Sequence, residues 1–309
     1  MKKLTLTLET VTPMFLGGAE NTELRAPSFR GVMRYWLRAM LGCVIGDENV
    51  DALKSMESSI FGDTQVGSEI NIRIRELPNK ILSMSDTARL PHKSGRYAAW
   101  KKAILPGQPF QLIMTQRNSK ETVIWEAACA SLSMSLLFGG IGNRSRRGFG
   151  TLRIINSSDL SIEKSPAENS QWESFISRVV TSAVTVSKEL ANYKQVSVLS
   201  SPTNGPASFP CGTKLSTIRI SNQVFPTAEE AIKIFMTRVP DLNYLGYAHG
   251  QSRQASPLWV RPIRTGVHQY NLLLSVLASD FSGADYPQLK TFLNTQFPGH
   301  DIGVTGWNQ

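Results

Sequence analysis

The stretch GGIGNRSRRGFGTLRII, residues 139–155, joins a helical run to a strand, and its reading decides the fold. Its first twelve residues hold five glycines, three arginines and no acidic residue. Glycine lets a backbone pass close to another surface and adopt positive φ. Arginine presents a planar fork of donors that matches phosphate oxygens. A loop of this composition suits a polyanion. A helix stop with solvent-facing charge accounts for Gly139 and Gly140, but not for ten further residues of the same kind.

Upstream, Thr122 to Phe138 is rich in Ala, Leu and Met and reads as a buried helix. Downstream, TLRII (151–155) reads as a strand. Further out, residues 3–11 alternate, with Leu4, Leu6 and Leu8 on one face of a strand. SFRGVMRYWLRAMLG predicts a helix with Ser28 as N-cap and Gly42 as its stop. SEINIRIRE (68–76) alternates strictly, and Phe110 to Thr115 is another apolar strand candidate. Between those two lies an insertion, 77–109, without clear periodicity. The order strand, helix, strand, strand, helix, strand predicts an α+β, ferredoxin-like unit, the split βαβ or RRM-like arrangement.

The second half predicts a helix over 168–190, a loop over 200–212 and a strand over 214–220. A helix over 227–238, strands over 256–263 and 268–276, and a short helix over 285–293 follow. The expectation is a second, distorted ferredoxin-like unit packed on the first, divided as residues 1–156 and 157–309.

The chain has 309 residues, 33 Lys+Arg and 24 Asp+Glu, a formal net charge of +9. That excess makes nucleic acid or an anionic surface a plausible partner, while a merely basic soluble protein is the plain alternative. Cys43, Cys129 and Cys211 lie far apart, so neither a disulfide framework nor a zinc ribbon is indicated. No run of eighteen apolar residues predicts a membrane-spanning helix, and the opening residues read as strand rather than signal peptide. A cytoplasmic protein is the simplest expectation.

In the first helix Arg30, Arg34 and Arg38 recur every four residues and form one ridge. No acidic residue occurs between Glu23 and Asp47, so the ridge has no local neutraliser and an anion from farther away would relieve its mild repulsion. Partners elsewhere in the fold are the alternative. The insertion carries Lys80, Arg89, Lys93, Arg96, Lys101 and Lys102 against Asp86 alone, with Tyr97 and Trp100 among them. Rings that stack on bases among cations that hold phosphates suit single-stranded RNA. Packing of this loop on the second half is the alternative.

TPMFLGGAE…RAPSFRGVMRYWLRAMLG, with GGIGNRSRRGFGTL and RQASPLWVRP, resembles the RAMP superfamily of CRISPR proteins. More narrowly it resembles the family of the first-numbered subunit of the type III-B (Cmr) effector complex. The matching positions include Thr12, Pro13, Gly17, Gly18, Arg25, Gly31, Arg34, Tyr35, Trp36 and Arg38. Asn143, Arg144, Ser145, Arg146, Arg147 and Phe149 match in the loop, and Arg253, Ser256 and Pro257 near the end. Where relatives carry an LPY-x-x-YG-like stretch, this chain reads LPHKSGRY. The resemblance implies two ferredoxin-like units, no cofactor, and a non-catalytic RNA-binding subunit. Its partners would be other Cmr-type RAMP subunits, the 3′ part of the guide RNA (crRNA) and the paired single-stranded target, in antiviral defence.

A guide-RNA processing endonuclease is the competing function. Such enzymes rely on a histidine as general acid or base, and His92, in the basic insertion, is the best placed of four. The acids Asp47, Glu48 and Asp51 lack further ligands at metal-binding spacing, so neither a metal site nor a catalytic residue is assigned.

Overall fold

A computed structural model describes residues 2–17, 23–46, 48–78, 82–90, 99–118, 120–159, 161–199, 214–239, 243–249, 252–278 and 283–303. At 85–90, 99–101, 214–215, 243, 247–249 and 252–253 it describes the backbone alone. The first unit opens with β1 (Lys3–Thr10), α1 (Ala26–Ile45), α2 (Val50–Phe61) and β2 (Ile70–Glu76). It continues through β3 (Met84–Leu90), β4 (Ala99–Ile104), β5 (Pro109–Gln116), α3 (Thr122–Phe138) and β6 (Leu152–Ser157). Then come α4 (Asn169–Tyr193), β7 (Lys214–Ser221) and α5 (Ala228–Arg238). The chain closes through β8 (Tyr247–His249), β9 (Ser252–Gln254), β10 (Leu258–Gly266), β11 (Gln269–Ala278), α6 (Tyr286–Gln296) and β12 (Gly299–Asp301).

Beside the two-stranded pairs β3-β4 and β8-β9, two four-stranded antiparallel sheets result, ordered β2-β5-β1-β6 and β10-β11-β7-β12. In each the first strand of its unit lies between the third and the fourth, so both units are ferredoxin-like. The second is distorted: its last strand has three residues, pairing Gly299 with Ser221 and Asp301 with Arg219.

Helix α1 departs from its expected ends. It starts at Ala26 behind Arg25, because Pro27 is already preset for the first turn, and it passes through Gly42 to stop at Gly46, φ 85°. Helix α2 is unanticipated. Asn49 caps it at Ala52 N, 3.4 Å, and Asp51 in its first turn meets the positive end of the helix dipole. The insertion, read as aperiodic, contains the antiparallel pair β3 and β4.

The units share one layered core. On β1 burial alternates, and the buried leucines face α1 and α3. On β10 and β11 nearly every central residue is buried, because both faces of that sheet are covered. One face, with Ile218, Ile220, Trp259, Ile263 and Leu273, completes the core built by α1, α3, α4 and the first sheet. The other, with Leu258, Val260, Leu272 and Leu274, packs against α5 and α6. Helix α4 follows the first unit in sequence and joins its helical layer through Trp172, Phe175, Ile176 and Val180. Among the described residues no helix is long and apolar enough to cross a membrane.

Candidate nucleic-acid interface

The TP-x-F-L-G segment and the glycine–arginine loop are bonded into one piece. Thr12 Oγ1 donates to the Gly148 carbonyl at 2.8 Å and accepts from Thr151 N at 3.0 Å. Gly150 N donates to the Pro13 carbonyl at 3.0 Å, and Asn143 N to the Phe15 carbonyl at 2.7 Å. Ile141 N closes the base of the loop on the Gly150 carbonyl, 3.0 Å. Glycine at 142 is required by this approach: a Cβ there would sit 2.4 Å from the Phe15 carbonyl oxygen, at φ +95°. Phe149 is buried, edge-on to Phe15 at 5.3 Å.

The three loop arginines divide. Arg144, at φ 58°, lies with Gly142 and Asn143 at the exposed tip. Partial desolvation there lowers its pKa from the ordinary value. Arg146 turns inward. Its Nη1 donates to the Ser256 carbonyl, and its guanidinium lies 4.8 Å from the Trp259 ring centre and 5.5 Å from that of Tyr35. Arg147 also reaches the second unit, donating to the Leu245 carbonyl at 3.3 Å and lying over Phe235 at 5.8 Å. The Arg146 carbonyl accepts from Val260 N at 3.1 Å. Ser145 lies between them, its Cβ close to Gly140. Two of the three arginines therefore join the units, and one faces outward. The Ser256–Pro257 motif lies where Arg146 ends.

Arg146→Ala is expected to lower stability by about 2 kcal/mol, from one charged hydrogen bond and two ring contacts. Urea midpoints of the wild type and the variant check this. Unchanged midpoints would show that the inter-unit contact carries no weight.

The α1 ridge is not a free polycation. Arg34 Nη1 bonds Glu57 Oε1 at 2.6 Å and its Nη2 the Phe61 carbonyl at 2.9 Å, while Arg38 Nε reaches Glu57 Oε2 at 3.2 Å. The neutraliser missing from the local sequence is supplied by α2. Arg34 thereby caps the C-terminal turn of α2. Arg38 stays 49% exposed on its side chain. Arg30 is half-buried with its Nε unpartnered among the described residues.

Arg25 is exposed. It donates to the Gly17 carbonyl at 3.2 Å and meets Glu23 at 3.5 Å. Gly17 has open space where a side chain would stand, as has Gly31 on α1. Leu16 touches the position a Gly142 side chain would take, 3.1 Å away. Arg25 and Arg144 thus flank exposed, side-chain-free backbone, a rim on which a phosphodiester chain can lie close. Lys93, Arg96, Tyr97 and His92 lie outside the described residues. Trp100 falls on β4 and Arg253 on β9, where only the backbone is described. Sequence reasoning missed Glu57 and Trp259, for neither has a local signal. No group of three metal-ligating side chains occurs among the described residues.

Residues 7–153 match the RAMP superfamily. The chain is 26% identical to the CRISPR system Cmr subunit Cmr1-1 of Pyrococcus furiosus, over 88% of this chain and 84% of that one. It is 28% identical to Cmr1-2 of the same organism, over 48% of this chain and 92% of that one. The crystal structure of apo Cmr1 from Pyrococcus furiosus superposes with a TM-score of 0.66 at 20% identity, covering 99% of this chain and all of that one. A chain of the type III-B Cmr-beta complex, solved by cryo-electron microscopy with cognate target RNA and AMPPnP, gives 0.66 at 12% identity, covering 95% and 98%. These structural likenesses establish the shared fold.

Proposed function

We propose that this chain, which matches the RAMP superfamily over residues 7–153 and is 26% identical to a Cmr subunit, is a non-catalytic RNA-binding subunit of a type III-B CRISPR effector complex. In this reading it acts in the cytoplasm. It holds the 3′ part of the guide RNA and its paired target, beside other RAMP subunits. Residues 1–156 form the RNA-facing unit and 157–309 the unit that braces it, with α4 lent to the first unit's helical layer.

The observation that carries the reading is the rim. Two segments 130 residues apart are bonded together so that Arg25 and Arg144 flank the bare backbone at Gly17 and Gly142. Guanidinium groups beside accessible backbone bind phosphates without selecting a base. The P. furiosus relative described as a Cmr subunit supports the assembly. The related fold in a complex solved with target RNA supports the ligand.

Single-stranded RNA binding measured across a salt series tests this. Arg144→Ala is expected to weaken unrelated sequences equally and to flatten the log–log salt slope by about 0.7, one phosphate contact. Its melting temperature is expected to fall less than that of Arg146→Ala, because Arg144 lies at the exposed tip while Arg146 reaches the second unit. An unchanged slope would remove Arg144 from the RNA track. Cleavage of guide precursor by the purified protein, lost in His92→Ala, would instead favour the endonuclease.

A further inference from the structure

Of the four outer edges of the two main sheets, three are closed or cut short. On β6, Ser165 Oγ accepts from Ile154 N at 3.0 Å and Ser165 N donates to the Ile154 carbonyl at 3.1 Å. On β10, Val260 N donates to the Arg146 carbonyl, and Pro262 has no N–H to offer. The next outward carbonyl of β10, that of Arg264, accepts from the Trp172 indole at 2.7 Å. Strand β12 has only three residues. Each is a known way of keeping a sheet edge from recruiting another strand.

The fourth edge, β2 (INIRIRE), is different. In an antiparallel ladder every second residue bonds to the neighbouring strand, and the residues between turn their N–H and C=O away. Arg117 N donates to the Glu69 carbonyl at 2.8 Å, in the register that sets Arg73 opposite Ile113. Asn71, Arg73 and Arg75 therefore bond to β5, and Ile70, Ile72, Ile74 and Glu76 turn outward. Ser68 Oγ closes Ile70, accepting from its N–H at 3.2 Å and donating to its carbonyl at 2.7 Å. Ile72, Ile74 and Glu76 have no backbone partner outside the β2–β5 ladder among the described residues.

The side chains say what could pair there. Ile72 and Ile74 face the helical layer, whereas Asn71, Arg73 and Arg75 are exposed on the opposite face. Neither arginine is in an ion pair with a described residue. Pairing β2 with the same strand of a second copy would set arginine against arginine, which is destabilising. A nucleic-acid backbone could meet the arginines, but it cannot continue a ladder of alternating N–H and C=O groups. An extended polypeptide of opposite charge does both.

We propose that β2 accepts an added strand from a partner protein. That strand is an extended segment with acidic side chains at alternate positions, over Arg73 and Arg75, and apolar ones between them, beside Ile72 and Ile74. Main-chain bonds to Ile72, Ile74 and Glu76 supply affinity, and the alternate side chains supply selectivity. The assignment stands apart from the RNA reading, since it calls on none of the rim residues.

Hydrogen exchange of the full chain, with and without a short synthetic peptide in which valine and glutamate alternate, tests it. Amide exchange across residues 70–76 is expected to slow when the peptide is added. Arg73→Glu combined with Arg75→Glu is expected to weaken the peptide about tenfold or more, and to favour its lysine counterpart instead. Ile74→Pro removes an outward N–H and spares the bonds to β5, so the protection is expected to disappear. Unchanged exchange across 70–76, or undiminished binding in either variant, would overturn the assignment. So would equal slowing by oligouridylate, the mark of a nucleic-acid surface, or slowing in the chain alone as its concentration rises, the mark of a second copy. Should Ile74→Pro fail to fold, the charge-reversed variant decides the question by itself.

Discussion

Gly150→Ala is expected to cost more than about 4 kcal/mol, a loss that only a few mechanisms produce. Gly150 sits at φ 65°, where an L side chain is already strained. The decisive term is contact: a Cβ at this position would lie 1.9 Å from the Ile141 carbonyl oxygen and 2.9 Å from its carbon. Both are backbone atoms, so no side-chain rotation relieves the clash. Ile141 cannot withdraw either, since its N–H holds the Gly150 carbonyl at 3.0 Å while Gly150 N holds Pro13. Relief requires opening the loop and releasing Thr12, Asn143 and the arginines that reach the second unit. Urea denaturation, with RNA binding followed in parallel, checks this. A midpoint within 0.3 M of the wild type, on the order of 1 kcal/mol for ordinary urea slopes, would show that the loop tolerates a more open shape.

Trp36→Ala follows, with an expected loss of about 3–5 kcal/mol from the cavity left by a large buried ring. Trp36 is fully buried on α1 and stacks on Phe138 at 5.6 Å with 29° between planes. It also touches Trp259 of the second unit at 5.5 Å and Tyr35 at 5.8 Å. Its indole N–H is buried without a partner among the described residues, so the cost is one of packing. Because Trp259 and Tyr35 carry the Arg146 guanidinium, the truncation also loosens the inter-unit clasp. Trp36→Phe is expected to recover more than half of the loss. Equal losses for Phe and Ala would place the cost in something other than ring packing.

Much of the fold was legible because burial on one face prints a period on the chain. Leu4, Leu6 and Leu8 mark β1, and the strict alternation of residues 68–76 marks β2. The predicted span of α3 matches the structure at both ends, and most other elements agree within three residues. Helix α2 was legible but not anticipated: Asn49 and Asp51 mark its start, and Leu53, Met56 and Ile60 recur at helical spacing. Strands β3 and β4 form a pair set apart from the main sheets, and their sequences, MSDTARL and AWKKAI, carry no strict alternation of apolar and polar residues.

The sequence by itself determined one βαββαβ order and most of a second, without its last strand, together with a basic balance and a glycine–arginine loop suited to anions. Those properties follow from local spacing and residue type, which each short segment carries alone. Only the tertiary structure decided what each arginine does. Arg34 and Arg38 share the single carboxylate of Glu57, from a helix about twenty residues away. Arg146 and Arg147 are spent on carbonyls and rings some hundred residues away, and Arg144 alone of the three stands at the tip. A guanidinium has the same charge in every setting, so its role depends on which acceptors the folded chain brings within hydrogen-bond reach. Distances of about 3 Å between remote segments are written in no local pattern.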